Sequence, residues 1–277
     1  MAPLQVAKGP VRVFQLNLRM RSPIDRRTFG GTATQMDTQE TTFLTLNPVH
    51  VYLDVGANRG QTGERLRKAG YGGRIISFEP IRECFDDLSI KAAKDAGWTA
   101  VHSAIGAEQG SVSIGVSENY HSSSILEASE ELVGVLDSIR YKATEDVPLD
   151  RLDAVLPGMI SAQDSLHLKI DTQGYERFVI EGAKGIMDQI NSVRAEVAVS
   201  EGYKGEMLVS DAIELMADHG YFLFDAWPAW RHPKTQAVLN FDMLFKKRSL
   251  LVPGPEASLF RKSFGADLWS RLRSRRA

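Results

Sequence analysis

The stretch VYLDVGANRGQTG, residues 51–63, is an apolar run that stops at Asp54 and then becomes rich in glycine. This pattern predicts a buried strand, a tight turn and a helix, with Gly56 and Gly60 permitting close approach to the turn backbone. In an open parallel sheet, ligands bind at the carboxyl ends of the strands, where a helix amino terminus offers N–H groups and positive potential. The turn therefore indicates a nucleotide-like ligand, although a tight corner without a ligand would have the same pattern.

A second acid supports the ligand interpretation. Glu79 ends the next predicted strand, and a carboxylate at that position can accept two hydrogen bonds from a ribose diol. The turn D-V-G-A-N-R-G lacks the middle glycine of the dinucleotide fingerprint, which disfavours NAD. Because Asp54 precedes the turn and suits a cationic amino group, S-adenosylmethionine, with its ammonium, carboxylate and adenosine, matches all these features.

The composition limits the class of protein. The chain has 277 residues, of which 43% are hydrophobic and 25% charged, which favours one large α/β domain with appendages. A formal net charge of −2 makes a dedicated nucleic-acid-binding protein improbable. A single cysteine, Cys84, excludes an internal disulfide framework and fits a reducing compartment. Without a long apolar run or a secretory signal, we expect a cytoplasmic protein.

The chain divides into three zones. Residues 1–47 lack periodicity and are expected to form an N-terminal arm that covers something or stays loose. Residues 48–248 alternate strand-like and helix-like segments, which predicts a mainly parallel sheet with helices on both faces and a final antiparallel pair. Residues 249–277 form a basic tail that would be amphipathic as a helix, so peripheral membrane contact is one interpretation and a packed or disordered tail is another.

Several segments of the central zone resemble the FkbM-type S-adenosylmethionine-dependent methyltransferases. They are LDVGANRGQTG, ISFEPIRECF, VHSAIG, SSSIL, PLDRLD, LHLKIDTQGYERFVIEGA, AEVAVSEGYKG and NFDMLFKKR, in this order, between about residues 50 and 247. LKIDTQGYE is the most specific of them. The resemblance implies a class I methyltransferase fold of seven strands with the last antiparallel, and O-methylation of sugar or polyketide hydroxyls.

Methylation of an alcohol requires a group that takes the hydroxyl proton. Asp171 is the leading candidate because it ends a buried strand at the expected cleft; a helix cap is the alternative role. Glu196 interrupts an apolar strand and is expected to pair with Lys169 or to line the pocket. His121 is a further candidate base.

The remaining candidate residues lie near the strand ends. The predicted cofactor site comprises Asp54, Gly56, Asn58, Gly60, Glu79, Pro80, Ser103, Ala104, Ser123 and Asp171. Glu176, Glu201 and Tyr203 are expected to bind the acceptor, although Glu176 could equally be a first-turn acid favoured by the helix dipole. Ser124 completes a serine pair that the resemblance assigns to the cleft.

Other chemistries remain open at this stage. Asp171 with Glu196 or Glu201 could form an oxygen-rich Mg²⁺ site, but no H-x-x-H or C-x-x-C pair supports a metal. N-methylation on the same fold, an NAD(P)-dependent reductase and a non-catalytic binding protein are the alternatives to an O-methyltransferase. The expected partner is a small-molecule or glycan acceptor, and the oligomeric state is not predicted.

Overall fold

The computed structural model describes residues 35–251. The strands in chain order are β1 (Val51–Val55), β2 (Arg74–Phe78), β3 (Trp98–Val101), β4 (Ala104–Ile105), β5 (Gly110–Ser117), β6 (Tyr141–Asp150), β7 (Leu166–Ile170), β8 (Ile190–Ala198), β9 (Tyr221–Arg231) and β10 (Val238–Lys247). The helices are α1 (Gln35–Leu46), α2 (Gln61–Lys68), α3 (Arg82–Ala92), α4 (Glu130–Val135), α5 (Leu152–Val155), α6 (Glu176–Gly182) and α7 (Val209–Asp218).

Seven of these strands form the main sheet, in the spatial order β3-β2-β1-β7-β8-β10-β9. All neighbours from β3 to β8 pair in parallel, and β10 is antiparallel to both β8 and β9. The order reverses beside β1, because β2 and β7 lie on its two sides. This arrangement confirms the predicted class I methyltransferase fold, including the antiparallel last strand.

A small second sheet differs from the sequence prediction. The sequence predicts one continuous strand over the segment TAVHSAIG, residues 99–106, but this segment is divided between β3 of the main sheet and β4 of a three-stranded sheet in the order β4-β6-β5. The sequence does not predict β6. Its residues are mostly polar and exposed because it lies at the surface, and only its pairing with β5 and β4 reveals it as a strand.

The two faces of the main sheet differ in chemistry. One face carries alternate residues of the strands, among them Leu53, Leu168 and Val193, and packs against α5, α6 and α7 in the largest apolar core. The opposite face has a smaller apolar cluster with α1, α2 and α3, which includes Phe43 and Tyr52. Because side chains alternate across a strand, the buried polar residues of β1, β7 and β8 lie on this second face.

Helix α1 is the part of the predicted N-terminal arm that the structure describes, and it is packed rather than loose. Its Glu40 is 4% exposed and accepts hydrogen bonds from Tyr52 Oη at 2.8 Å and from a guanidinium nitrogen of Arg194. The same carboxylate lies 3.2 Å from His167 Nε2, and Arg194 Nε donates to Asp242 at 2.9 Å. Residues 35–46, which the sequence analysis assigned to the arm, are therefore packed on the sheet.

The C-terminal tail from residue 252 onward, with its expected amphipathic character, and the arm before residue 35 lie outside the described residues. Among the helices of residues 35–251, none is long and apolar enough to cross a membrane.

Candidate active site

The turn after β1 has glycines at two positions because other protein segments pack closely against it. Gly56 has a φ of +77°, and a Cβ atom added to it would lie 1.9 Å from the carbonyl oxygen of Asp171. Gly60 likewise has a φ of +82°, and a Cβ there would press on Leu88 and Trp98. Protein packing thus requires these glycines, whereas the sequence analysis attributed them to the approach of a ligand.

The N–H groups of this turn are engaged by the neighbouring strand. Those of Gly56 and Ala57 donate to the carbonyl of Phe78, and that of Asn58 donates to Glu79 Oε2 at 2.8 Å. The other carboxylate oxygen of Glu79 accepts the N–H of Ile81 at 2.9 Å. These contacts fix the carboxylate at the end of β2, where each of its oxygens retains a lone pair for a further donor.

Burial raises the pKa of Glu79 to about 7, and it does so against the opposing effect of the two N–H donors. The group is 4% exposed, so its charged form is poorly solvated until a donor reaches it. A ligand that supplies two hydroxyl donors would favour the ionised carboxylate, which is the expected behaviour of a ribose-binding acid.

A narrow cleft of about 70 Å³ lies at this edge of the sheet, along the ends of β1, β2 and β7. Eight of the ten predicted cofactor residues line it: Gly56, Asn58, Glu79, Pro80, Ser103, Ala104, Ser123 and Asp171. The other two, Asp54 and Gly60, are not among its lining residues. Gly60 packs against Trp98, and Asp54 is fully buried beneath the turn.

Asp54 is held by a lysine on the neighbouring strand. Lys169 Nζ lies 2.9 Å from Asp54 Oδ1 and 3.5 Å from Asp171 Oδ2, and the other oxygen of Asp54 has no hydrogen bond within residues 35–251. Burial works to lower the pKa of Lys169, but the Asp54 and Asp171 carboxylates outweigh it and raise that pKa. The lysine is therefore a permanent cation beneath the cleft.

Asp171 keeps 37% of its side chain accessible and faces the cleft. Burial works to raise its pKa, but Lys169 and a 2.9 Å hydrogen bond from Gln173 Nε2 outweigh this and lower the pKa. The backbone N–H groups of the following turn are not bound by Asp171. They donate to Glu176, so the helix-cap role considered for Asp171 is not what the structure shows.

Glu176 lines neither of the two cavities at this edge, in contrast to its predicted contact with the acceptor. It is 3% exposed, and its Oε1 accepts the N–H groups of Thr172 and Gly174 and the hydroxyl of Thr172. Burial raises its pKa to about 7. The side chain therefore shapes the turn that carries Asp171 and Gln173, as an acid of the first helical turn would.

A second, larger cavity of about 380 Å³, here called the acceptor cavity, adjoins the cleft. Four predicted residues line it, namely His121, Glu196, Glu201 and Tyr203. His121 and Gln173 line both the cleft and the acceptor cavity, so they mark the junction between the two. A donor group in the cleft and a hydroxyl in the acceptor cavity would meet at this junction.

Glu196 does not pair with Lys169, which corrects one of its predicted partners. Among residues 35–251 the ion pairs of Lys169 lead to Asp54 and Asp171, and Glu196 has no hydrogen bond from a described residue. Burial, followed by the carboxylates of Asp171 and Asp242, raises the pKa of Glu196 well above its usual range. The raised pKa favours the protonated form of this carboxyl group, which lies at the wall of the acceptor cavity.

Sequence reasoning missed several residues of the two cavities: Tyr120, Tyr175, Gln173, Glu206 and Trp230. Gln173 was detectable, because it lies within the LKIDTQGYE segment; its φ of +54° turns its backbone at the junction. Ser124, expected in the cleft, is buried and donates to the carbonyl of Gln173 at 2.7 Å. Trp230 reaches the cavity from β9, far along the chain, and no local pattern indicates that contact.

A magnesium site finds no support in this geometry. Within residues 35–251, no three or more histidine, cysteine, aspartate or glutamate side chains gather in a way that could hold a metal ion. Asp171 is engaged by Lys169 and Gln173, and Glu201 accepts the N–H of Gly205 at 2.6 Å.

A known family model matches more than half of the chain. Residues 54–223 match the family model described as Methyltransferase FkbM domain. No curated protein sequence matches the chain.

Three solved structures are among those similar to this chain. Magnesium protoporphyrin IX methyltransferase from Synechocystis PCC 6803, with bound SAM, is 9% identical over 80% of this chain and 88% of its own, with a TM-score of 0.43. Precorrin-6y C5,15-methyltransferase from Geobacter metallireducens GS-15 is 12% identical over 80% and 91%, with a TM-score of 0.43. TrmK from M. capricolum, in complex with S-adenosyl-homocysteine, is 9% identical over 78% and 70%, with a TM-score of 0.45.

Proposed function

The chain belongs to the FkbM methyltransferase family, and we propose that it transfers the methyl group of S-adenosylmethionine to a hydroxyl of a sugar, a glycan precursor or a related secondary metabolite. The observation that carries this proposal is the junction between the two cavities. The cleft holds an acid suited to a ribose diol, the acceptor cavity has the size of a small-molecule site, and His121 and Gln173 belong to both.

The residues of the cleft fit the cofactor chemically. Glu79 is placed to accept the ribose hydroxyls, and Ser103 and Ala104 leave room for a flat ring at the end of β3. Asp54 supplies a buried carboxylate with one oxygen free of hydrogen bonds among the described residues, which suits the electrostatics of an ammonium group. Because the cleft is narrower than a nucleoside requires, rim side chains such as those of Tyr120 and His121 must move when the cofactor enters.

When bound, S-adenosylmethionine supplies an activated methyl group on a sulfonium, so the protein has to align the acceptor and remove its proton. We assign the removal of the proton to Asp171, which is ionised at neutral pH and lies at the mouth of the cleft. Gln173 orients this carboxylate through its 2.9 Å hydrogen bond. The raised pKa of Glu196 favours its protonated form, which would donate a hydrogen bond to a neighbouring oxygen of the acceptor.

His121 is the competing base. It is exposed and lines both cavities, so a hydroxyl at the junction would be within its range of motion. Its exposure leaves the imidazole without the fixed orientation that Gln173 and Lys169 give to Asp171. This difference in orientation is the reason for preferring Asp171.

Isothermal titration calorimetry with S-adenosylmethionine, S-adenosylhomocysteine and NAD tests the cofactor. We expect the first two to bind and NAD not to bind; no binding by either of the first two would overturn the proposal. Products of turnover, analysed by mass spectrometry with candidate glycans, should gain one methyl group on oxygen. Methylation of an amine nitrogen alone would instead establish the N-methyltransferase alternative.

Three variants assign the base. Asp171→Asn should lower kcat by about 100-fold or more and leave the dissociation constant of the cofactor within about 3-fold, because an amide cannot accept the proton. Glu196→Gln should lower kcat less, since an amide still donates a hydrogen bond. If His121→Gln abolishes turnover while Asp171→Asn retains it, histidine is the base and our assignment is wrong.

We also expect the protein to act in the cytoplasm, without nucleic acid as a partner. Peripheral contact with a membrane would involve the basic tail, which lies outside the described residues.

A further inference from the structure

We infer that the acceptor cavity selects a polyhydroxylated acceptor that carries no phosphate or carboxylate group, and that it favours one with a protonated amine. This inference rests on the proposed function, because it concerns the compound that would receive the methyl group. It is carried by the charges around the acceptor cavity, by their protonation and by one aromatic side chain.

The charged lining of the acceptor cavity is of one sign. Four glutamates line it, on α4, on β8 and on the loop after β8: Glu131, Glu196, Glu201 and Glu206. Among the lining residues that the structure describes, none is a lysine or an arginine. An anionic group in this cavity would therefore lose its hydration without gaining a lysine or arginine partner, and the imidazoles of His121 and His232 are the basic side chains that line it.

Two of the four carboxyl groups lie in the interior of the acceptor cavity, and the other two lie at its rim. Burial and neighbouring carboxylates raise the pKa of Glu196 well above its usual range, which favours its protonated form. Glu206 accepts the N–H groups of Gly202 and Tyr203, and burial raises its pKa as well. Glu131 and Glu201 are exposed at the rim. In the interior, the raised pKa values favour carboxyl groups that can donate hydrogen bonds. The exposed rim carries negative charge that attracts a cation and repels an anion.

The shape and the remaining lining fit a sugar-like ring. The indole of Trp230 provides a flat apolar surface for the C–H face of such a ring, while carboxyl and hydroxyl groups on the other walls can pair with its hydroxyls. Glu196 is the informative residue, since its half-buried side chain lines the cavity and has no hydrogen bond from residues 35–251. A hydroxyl of the acceptor would satisfy it.

Saturation-transfer difference NMR, with S-adenosylhomocysteine present in excess, tests the inference. The probes are methyl glucoside, glucosamine, glucuronate and glucose 6-phosphate, which share one ring and differ in charge. We expect glucosamine to bind at least as tightly as methyl glucoside and about 10-fold or more tightly than the two anions at low salt, with a smaller ratio in about 0.5 M salt. Preferred binding of either anion, equal binding of all four, or binding of none would overturn the inference.

A matched pair of variants places the effect in the cavity. Glu131 and Glu130 are adjacent exposed acids in the first turn of α4, but only Glu131 is a lining residue of the acceptor cavity. Glu131→Gln should lower the glucosamine-to-glucuronate ratio by about 3-fold or more, and Glu130→Gln should leave it unchanged. Equal effects of the two variants would show that the preference comes from the net charge of the surface and would overturn the assignment to the cavity.

The outcome is independent of the test of the proposed function. Cofactor binding and methyl transfer can both be found while anionic probes bind best, in which case the inference alone fails. If calorimetry finds no cofactor binding, the proposed function fails, and the NMR experiment still reports which charge the cavity accepts.

Discussion

The ammonium group of Lys169 lies 2.9 Å from the carboxylate of Asp54, and the two residues are register partners on adjacent strands β7 and β1. Both side chains are buried, and the same ammonium group is 3.5 Å from Asp171. The buried ammonium group of Lys169 thus pairs with both Asp54, which precedes the glycine turn, and Asp171, the proposed base. The charge at the cleft is set by this lysine, which the sequence analysis considered only as a partner for Glu196.

Removal of this cation should be costly. Lys169→Met would leave two carboxylates without their common partner, so we expect the free energy of unfolding in urea to fall by about 3–5 kcal/mol. Lys91→Met is the control, because Lys91 pairs with Glu64 at the same distance of 2.9 Å but at the surface, where such a pair contributes at most about 1 kcal/mol. Similar losses in the two variants would contradict the importance of burial.

Cofactor affinity should depend on pH through Glu79. Its pKa is about 7 without ligand, and the ionised form is the better acceptor for two ribose hydroxyls, so binding should release a proton below pH 7. We expect affinity to fall by up to about 10-fold for each pH unit below 7, and calorimetry in buffers of different ionisation enthalpy should reveal the released proton. Glu79→Gln should bind more weakly and lose the proton release, and Glu79→Ala should bind more weakly still. A wild type that releases no proton at pH 6 would refute the role.

Two glycine variants separate the stability cost of a steric clash in the turn from the cost of a positive φ. Gly56→Ala places an alanine at a positive φ and also brings its Cβ into a clash with the carbonyl oxygen of Asp171. Gly70→Ala places an alanine at a positive φ without a clash, since nothing lies within 4 Å of the added Cβ. We expect Gly70→Ala to lower the unfolding free energy by about 1–2 kcal/mol and Gly56→Ala to lower it by several kcal/mol more and to abolish cofactor binding. Equal losses would mean that the contact with Asp171 relaxes freely.

The stability of the fold should fall as the pH rises through the range in which Glu176 titrates. Its pKa in the folded protein is raised from 4.5 to about 7, so the protonated form is favoured by folding. The contribution of this group is fully present below pH 4.5 and is lost between pH 4.5 and 7, to the extent of about 3 kcal/mol. Glu176→Gln keeps an acceptor oxygen and has no charge, so its stability, measured by urea unfolding, should fall less over that interval. Parallel profiles for the two proteins would contradict the raised pKa.

Helix α1 should stabilise the domain through Glu40. Burial works to raise the pKa of this carboxyl, but Arg194 and then His167 outweigh it and hold the pKa far below its usual range. The stability that Glu40 contributes therefore depends on pH in the opposite direction to that of Glu176. It is present above pH 4.5 and is lost as the pH falls below 4.5. At pH 7, Glu40→Gln should lower the melting temperature clearly, while Glu64→Gln, at the surface, should leave it nearly unchanged.

Local patterns were sufficient for the strand ends and for the acids on them. Glu79, Asp171 and the turn at residues 56–60 were located from the sequence because each lies directly after an apolar run, and parallel strands bring their carboxyl ends to one edge. The same logic failed for β6, whose exposed residues carry no periodic apolar signal, and for α1, whose weak amphipathic pattern hides the burial of Glu40.

The sequence by itself determined the class of fold and the edge of the sheet at which chemistry takes place, because alternation of strands and helices and the positions of strand ends are local properties. Only the tertiary structure decided which charges meet: Lys169 with Asp54, Glu40 with Arg194 across 154 positions of the chain, and Glu196 with no ionic partner among the described residues. Pairing and burial between distant strands depend on register and on packing, and these set each pKa and each cavity wall. A list of residues in chain order does not contain that information.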